Sequence, residues 1–383
     1  MSNLIGMIEV EKDRLKRVFK LLGEVMFPYK KAKMPAIMRI NRCIAILLSV
    51  VSFWVPALNG MIDNMYGHII PEKTKTANGV VVEHILLYPQ EAHDSLKRIA
   101  RRGMLVRSDD AKATILVCHG FMCDKYDVGV LRRIFKTKQF NVMTFDFRAH
   151  GQDGQGQYCT FGRDEALDVT AAAQFLRNHP DLCNKPLFAY GFSMGAVSAI
   201  EAQGKSPELF DAMILDCPFD SSERVIKTNL ECLKCSLFGY EFDMPGRELL
   251  QKYAFHPYVQ SLIKAVLKTV AQLDATGVNT NFCPLHPAES AKNIMVPVFL
   301  IHCKNDQKVS VDQVKNVYES LAGYKRWWLT NGRRHYDSFF YNPEKYIEQV
   351  RQFYNQVLTG ELEGMPQEGI VEDGDEDEHL FGA

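Results

Sequence analysis

Short runs of apolar residues alternate with amphipathic stretches from about residue 80 to residue 357. The segments 80–88, 114–118, 142–145, 185–190, 212–215, 297–302 and 325–329 are apolar along most of their length and bounded by polar turns, so each is predicted as a strand. Residues 164–177 carry Ala166, Val169, Ala173 and Phe175 on one side, which predicts an amphipathic helix. Residues 196–202 continue the strand at 185–190 as the first turns of another helix. Residues 218–290 interrupt this alternation with a stretch rich in Phe, Tyr, Leu and Met, including a helical pattern over 258–273.

The five residues between the strand at 185–190 and the following helix are Gly191, Phe192, Ser193, Met194 and Gly195. A Gly-x-Ser-x-Gly in that position is a sharp turn whose glycines let backbones crowd together and lift the serine hydroxyl above the sheet edge. A serine hydroxyl becomes nucleophilic only when a base takes its proton, and the base works only when a third group orients it. After such a turn the expected chain order is serine, acid, histidine. Asp306 lies in the polar loop after the strand at 297–302, and His335 lies in the loop after the strand at 325–329. The candidate triad is therefore Ser193, Asp306 and His335. Two backbone N–H groups complete such a site by holding a developing oxyanion. Their candidates are Met194, next to the serine, and Phe121, in the loop His119-Gly120-Phe121-Met122 after the strand at 114–118.

Each assignment has a rival. Asp216 follows the strand at 212–215 and competes for the acid role, but Asp306 has the better spacing to His335. His119 and His150 are read as structural, because the base should follow the acid. Asp337 stands too close behind His335 and is read as a loop residue.

With these motifs, together with Asp146-Phe147-Arg148-Ala149-His150-Gly151, the chain resembles the α/β-hydrolases, nearest to their serine-aminopeptidase-like and prolyl-oligopeptidase-like esterase branches. The resemblance covers most of the chain. It implies an α/β-hydrolase fold, a mostly parallel central sheet flanked by helices, with a core at 80–217 and 291–357 and a helical cap insertion at 218–290. Phe238, Phe242, Met244, Tyr253 and Phe255 of the cap are candidates to line an apolar pocket or to form the cap's own core. The implied activity is serine hydrolysis of a carboxyl ester, with peptidase and thioesterase chemistry as alternatives and no cofactor or metal. A reading of another class is a non-catalytic, membrane-tethered interaction module on the same fold. Two positions depart from the family pattern. Arg333-Arg334 precede the histidine where a glycine is common, and Cys303 follows His302 where a glycine is usual.

Composition narrows the setting. With 383 residues, 46% of them hydrophobic, and a net charge of −1, the chain fits one hydrolase domain with additions and excludes a strongly basic nucleic-acid binder. Its ten cysteines are scattered, and Cys232-x-x-Cys235 lacks the second pair of a zinc site. Residues 1–42 hold ten Lys or Arg against four acids, and the twenty residues 43–62 carry no charge. A helix of that length spans about 30 Å, the hydrocarbon thickness of a bilayer. A membrane anchor with a cytoplasmic N-terminus is therefore expected, the alternative being a buried helix in a cytoplasmic protein. The expected partner is an apolar small-molecule acyl substrate. Residues 361–383 contain nine acids and no Lys or Arg, which reads as a disordered, solvated tail.

Overall fold

The computed structural model describes residues 73–75, 80–90, 100–128, 134–135, 139–151, 154, 157–231, 234–237, 240–243, 247–256, 258–261, 279–362, 365 and 369–373. The apolar stretch 43–62, with the basic segment before it, lies outside these residues. Among the described residues no helix is long and apolar enough to cross a membrane.

Fourteen strands are present among the described residues: β1 (Lys73–Lys75), β2 (Val81–Leu87), β3 (Arg101–Arg107), β4 (Ala113–Cys118), β5 (Phe140–Phe145), β6 (Tyr158–Cys159), β7 (Leu187–Phe192), β8 (Ala212–Asp216), β9 (Lys234–Leu237), β10 (Tyr240–Asp243), β11 (Asn279–Thr280), β12 (Val298–Cys303), β13 (Lys325–Thr330) and β14 (Ile370–Glu372). Ten of them form one sheet in the order β1-β2-β3-β5-β4-β7-β8-β12-β13-β14. From β5 to β14 every neighbouring pair is parallel, and β1, β2 and β3 add antiparallel pairs at one side. This is the mostly parallel, helix-flanked sheet of the α/β-hydrolase fold.

The burial pattern follows from that architecture. Every residue of β4, β5, β7, β8, β12 and β13 is buried, as expected of parallel strands covered on both faces. By contrast β2 alternates between buried and partly exposed positions. The two-residue period of the strands splits the core into two apolar layers. On one face Leu116, Met143, Ala189, Leu215, Leu300 and Trp327 pack with residues of the helices Glu165–Asn178, Met194–Lys205 and Val311–Ser320. On the other, Ile115, Val142, Phe188, Ile214, Phe299 and Trp328 pack with Tyr346, Val350, Phe353 and Tyr354 of the helix Pro343–Thr359.

Strand order locates a ligand site before any side chain is considered. The chain runs from β4 to β5 on one side, then returns to β7 on the other side of β4 and goes on to β8. The order therefore reverses between β4 and β7, and ligands of open α/β sheets bind at such a switch point, beyond the carboxyl ends of the strands. The loop holding Phe121 leaves β4 there, and Ser193 leaves β7.

The predicted elements shift by a residue or two at their ends. The helix expected over 164–177 runs Glu165–Asn178. In the interrupting segment the described elements include the helix Ser222–Glu231, the hairpin of β9 and β10, the helix Arg247–Lys252, β11 paired in parallel with β6, and the start of the helix Pro287–Ala291. Of the helical pattern over 258–273, residues 258–261 are described and helical. The acidic stretch corrects the expectation of a wholly disordered tail. Ile370–Glu372 pairs in parallel with β13, and the buried Asp373 accepts a hydrogen bond from Trp328 Nε1 at 3.0 Å and one from the Lys345 ammonium at 2.5 Å.

Candidate active site

Ser193 is the single residue between β7 and the helix Met194–Lys205, and it sits at φ 52°, ψ −122°. A non-glycine residue at positive φ costs of order 1–3 kcal/mol and is held only where the surroundings over-determine it. Here the two flanking glycines do so. A Cβ on Gly191 would lie 2.8 Å from the Ala196 backbone, and one on Gly195 would lie 2.1 Å from the carbonyl oxygen of Cys118. The Ser193 amide donates to the Asp216 carbonyl at 2.8 Å, which fixes the turn against β8.

Two loops from distant parts of the chain meet this serine. His335 Nε2 is 2.8 Å from Ser193 Oγ, and His335 Nδ1 is 2.6 Å from Asp306 Oδ2. A carboxylate only accepts, so Nδ1 carries the proton and Nε2 is left to accept from the serine hydroxyl. The other carboxylate oxygen of Asp306 accepts from the amides of Lys308 at 2.8 Å and Val309 at 3.1 Å. Burial alone would push Asp306 up. The hydrogen bond from His335, with electrostatic interactions with the two imidazoles and the Val309 amide, outweighs that and holds the carboxyl below its usual range. His302, its Nδ1 3.9 Å from Asp306 Oδ2, is buried and pushed down to about 4 by desolvation, so it stays neutral.

Cys303, one of the two departures from the family pattern, has a structural use. Its Sγ accepts from the Asp337 amide at 3.3 Å and meets Ser338 Oγ at 3.1 Å, tying the loop of Asp306 to the loop of His335. A Cβ on Gly332 would come within 2.6 Å of that sulfur, so the histidine loop must pass it without a side chain there.

The two candidate oxyanion donors face the same switch point. Met194 is the first residue of its helix, so its amide is one of those left without a carbonyl of the helix to bond. Phe121 lies in a loop braced by two buried histidines. His119 Nε2 accepts from the Phe147 amide at 3.0 Å, so its Nδ1 donates to the Gly120 carbonyl at 2.7 Å. His150 Nε2 accepts from the Met122 amide at 3.2 Å, and its Nδ1 donates to the Arg148 carbonyl at 2.8 Å. Desolvation lowers the pKa of both rings, well below the usual value for His119. Each is a neutral brace with both nitrogens committed, which agrees with the structural reading. Below them Asp168, wholly buried, takes a bidentate pair from Arg148 at 2.8 and 3.0 Å and a further contact from Arg101 at 3.3 Å.

Asp216 stands apart from the imidazole. Its Oδ2 accepts from Tyr346 Oη at 2.8 Å, and Tyr346 Oη in turn lies 2.5 Å from Tyr190 Oη. Full burial pushes this carboxyl up to about 7. Nothing in the sequence pattern pointed to this network, because its members lie on β7, β8 and the helix Pro343–Thr359. Cys217, which its place at a strand end marks as a small apolar residue, sits at φ 46° with its Sγ 3.9 Å from His335 Nε2. Among the described residues, ligand atoms of Cys217, Asp306 and His335 fall within 4.8 Å of one another. Both imidazole nitrogens are already engaged by Asp306 and Ser193.

The surroundings differ on the two sides. By the candidate oxyanion loop Phe121, Phe161 and Phe282 form an aromatic row, with ring centroids 4.7 and 4.8 Å apart. His335 borders a cleft of about 510 Å³. Of the expected cap-lining residues, Tyr253 is 46% exposed and Phe255 half-buried, whereas the side chains of Phe238, Phe242 and Met244 lie outside the described residues. A larger cleft of about 670 Å³ lies along the helix Pro343–Thr359 and includes none of Ser193, Asp306 and His335.

Comparison with known proteins adds four findings. The family model of serine aminopeptidases, S33, matches residues 109–234, a span that holds Ser193 and the candidate oxyanion loop but neither Asp306 nor His335. An uncharacterized protein of Bacillus subtilis (strain 168), YqkD, is 26% identical over 258 residues, which cover 67% of this chain and 75% of that protein. Among solved structures, the esterase Pf2001 of Pyrococcus furiosus superposes with a TM-score of 0.52 at 21% identity, covering 72% of this chain and 93% of the esterase. The alpha/beta hydrolase GrgF from Penicillium sp. sh18 does so with a TM-score of 0.52 at 14% identity, covering 73% and 99%.

Proposed function

We propose that this member of the α/β-hydrolase superfamily, a serine hydrolase of esterase or peptidase type, cleaves a carboxyl ester through an acyl-enzyme on Ser193. The observation that carries the reading is the relay from Asp306 through His335 to Ser193, with contacts of 2.6 and 2.8 Å. Nε2 of His335 takes the serine proton as Oγ attacks the carbonyl carbon, and Asp306 stabilises the imidazolium that forms. The amides of Met194 and Phe121 receive the oxyanion. His335 then protonates the leaving oxygen, and water repeats the sequence in reverse to release the acid. The aromatic row at Phe121, Phe161 and Phe282 supports an apolar acyl group, because such walls bind hydrocarbon and exclude water.

Residues 218–290 act as the cap in this reading, and residues 43–62 as a membrane anchor. Carbonate extraction of membranes from cells making the full chain tests the anchor, and recovery without detergent would make 43–62 a buried helix. The catalytic reading is tested by labelling with a fluorophosphonate probe, which should mark the wild type and spare Ser193→Ala. A panel of p-nitrophenyl esters of rising chain length, beside aminopeptidase substrates, separates esterase from peptidase. Turnover of amides alone would replace the ester assignment by the peptidase one.

A further inference from the structure

We infer that the substrate carries an anionic group on its leaving-group side, seated by Arg333 and Arg334. The inference rests on the serine-hydrolase reading and adds the charge class of the substrate.

The location follows from the chemistry. The leaving oxygen must come within hydrogen-bond reach of His335 Nε2 to receive its proton, so the group attached to it runs past His335. The cleft of about 510 Å³ that begins there is lined by Lys308, Arg333, Arg334, His335, Asp337 and Phe340 among others. Three of these are permanent cations and one is a carboxylate. Asp337 spends Oδ2 on the backbone amide of Arg333 at 2.9 Å rather than on a guanidinium. Arg333 and Arg334 are exposed, and neither guanidinium pairs with a carboxylate among the described residues.

Solvated loop arginines are common, but these two line the cleft that the leaving group enters. An anion on the substrate, placed in that cleft, is attracted by both guanidinium groups. Guanidinium forks match carboxylate and phosphate oxygens alike. Phe340, 62% exposed on the cleft wall, suits an apolar spacer between the ester and the anion.

The test compares three acetyl esters of para-substituted phenols, bearing a carboxylate, a phosphate monoester or a neutral carboxamide. Each kcat/KM is divided by the ester's own hydroxide-catalysed rate to remove the difference in leaving-group acidity. Two exposed cations at contact range should give the anionic esters about a tenfold advantage over the amide at low salt, fading as salt rises. The larger of the two anionic ratios names carboxylate or phosphate as the group preferred. Arg333→Ala and Arg334→Ala should each lower the anionic-to-neutral ratio by roughly threefold, and Arg334→Glu should lower it further.

A second measurement stands apart from turnover. Equilibrium binding of 4-hydroxybenzoate and 4-hydroxybenzamide to the Ser193→Ala protein should favour the carboxylate, and the Arg333→Ala/Arg334→Ala pair added to that protein should abolish the preference. Equal ratios for charged and neutral esters in the wild type, or equal binding of the two phenols, overturns the inference even where Ser193-dependent hydrolysis is intact. Loss of fluorophosphonate labelling with the binding preference retained would instead strike the catalytic reading alone.

Discussion

Asp306→Asn isolates what the 2.6 Å contact between Asp306 and His335 does. The substitution keeps the size of the side chain but replaces one acceptor oxygen by an NH2 donor. The oxygen that remains has a strong reason to face the amides of Lys308 and Val309, which offer two hydrogen bonds at 2.8 and 3.1 Å. The introduced NH2 then points at His335 Nδ1, where a donor meets a donor. The imidazole relieves the conflict by moving its proton to Nε2. In that tautomer Nε2 donates toward Ser193 and can no longer take its proton. Loss of the correct tautomer in such relays costs about 10,000-fold in turnover, or about 5.5 kcal/mol of transition-state stabilisation. The assay is kcat on a short p-nitrophenyl ester, with the thermal midpoint measured on the same samples. Asp216→Asn is the control, since its carboxylate bonds Tyr346 instead of the imidazole, and it should lose far less. A loss below tenfold in folded Asp306→Asn protein, or a larger loss in Asp216→Asn, refutes the reasoning.

The remaining predictions address the serine, the turn, the buried carboxyl and the cap. Ser193→Ala and His335→Ala should each abolish turnover to within the residual activity of the oxyanion donors, with circular dichroism unchanged, because members of a relay act as one unit. Gly195→Ala should lower stability by about 3 kcal/mol or more, read as the urea midpoint, since its Cβ would meet the Cys118 carbonyl at 2.1 Å and neither backbone can yield. Asp216, pushed up to about 7 by burial, binds its proton more tightly folded than unfolded, so wild-type stability should fall as pH rises from about 4 to about 7. Asp216→Asn keeps an acceptor for Tyr346 and should flatten that slope in urea titrations across the range; an unchanged slope would show that the carboxyl is not the group titrating. Deleting residues 225–280 with a short bridge should alter ester chain-length preference more than turnover of an acetyl ester, because the candidate relay and oxyanion donors lie on the sheet edge. Equal losses on long and short esters, in protein shown to be folded, would assign the cap a part in positioning the chemistry.

What could be read from the sequence was whatever the sheet imposes on local composition. Strands buried on both faces must be apolar along their length, so β4, β5, β7, β8 and β12 stood out, and the turns after them exposed Phe121, Ser193 and Asp306 as candidates. β3 escaped notice because it opens with Arg101 and Arg102 and closes with Arg107. Two of those arginines are buried through partners far along the chain, Asp168 for Arg101 and Glu83 for Arg107, and no periodicity announces such pairs. β14 was hidden in the same way, inside an acidic stretch whose Asp373 meets Trp328 and Lys345. The linked groups of Asp216, Tyr346 and Tyr190 were out of reach because side-chain partners across a sheet leave no local mark.

The two departures from the family pattern then acquire physical content. Where a glycine is usual, Cys303 supplies a sulfur that accepts the Asp337 amide and couples the acid loop to the base loop. A glycine there has no atom to make that bond, so the geometry of His335 in this chain depends on a side chain that many relatives of the fold would do without. Cys303→Gly should therefore loosen the 2.6 and 2.8 Å contacts and lower kcat more than it raises KM. Arg333 and Arg334 stand before His335 and bond Asp337 through their backbones alone, while among the described residues their guanidinium groups pair with no carboxylate and border the cleft. On the proposed mechanism, the leaving group enters that cleft, so the two guanidinium groups favour an ester that brings an anion there over a neutral one.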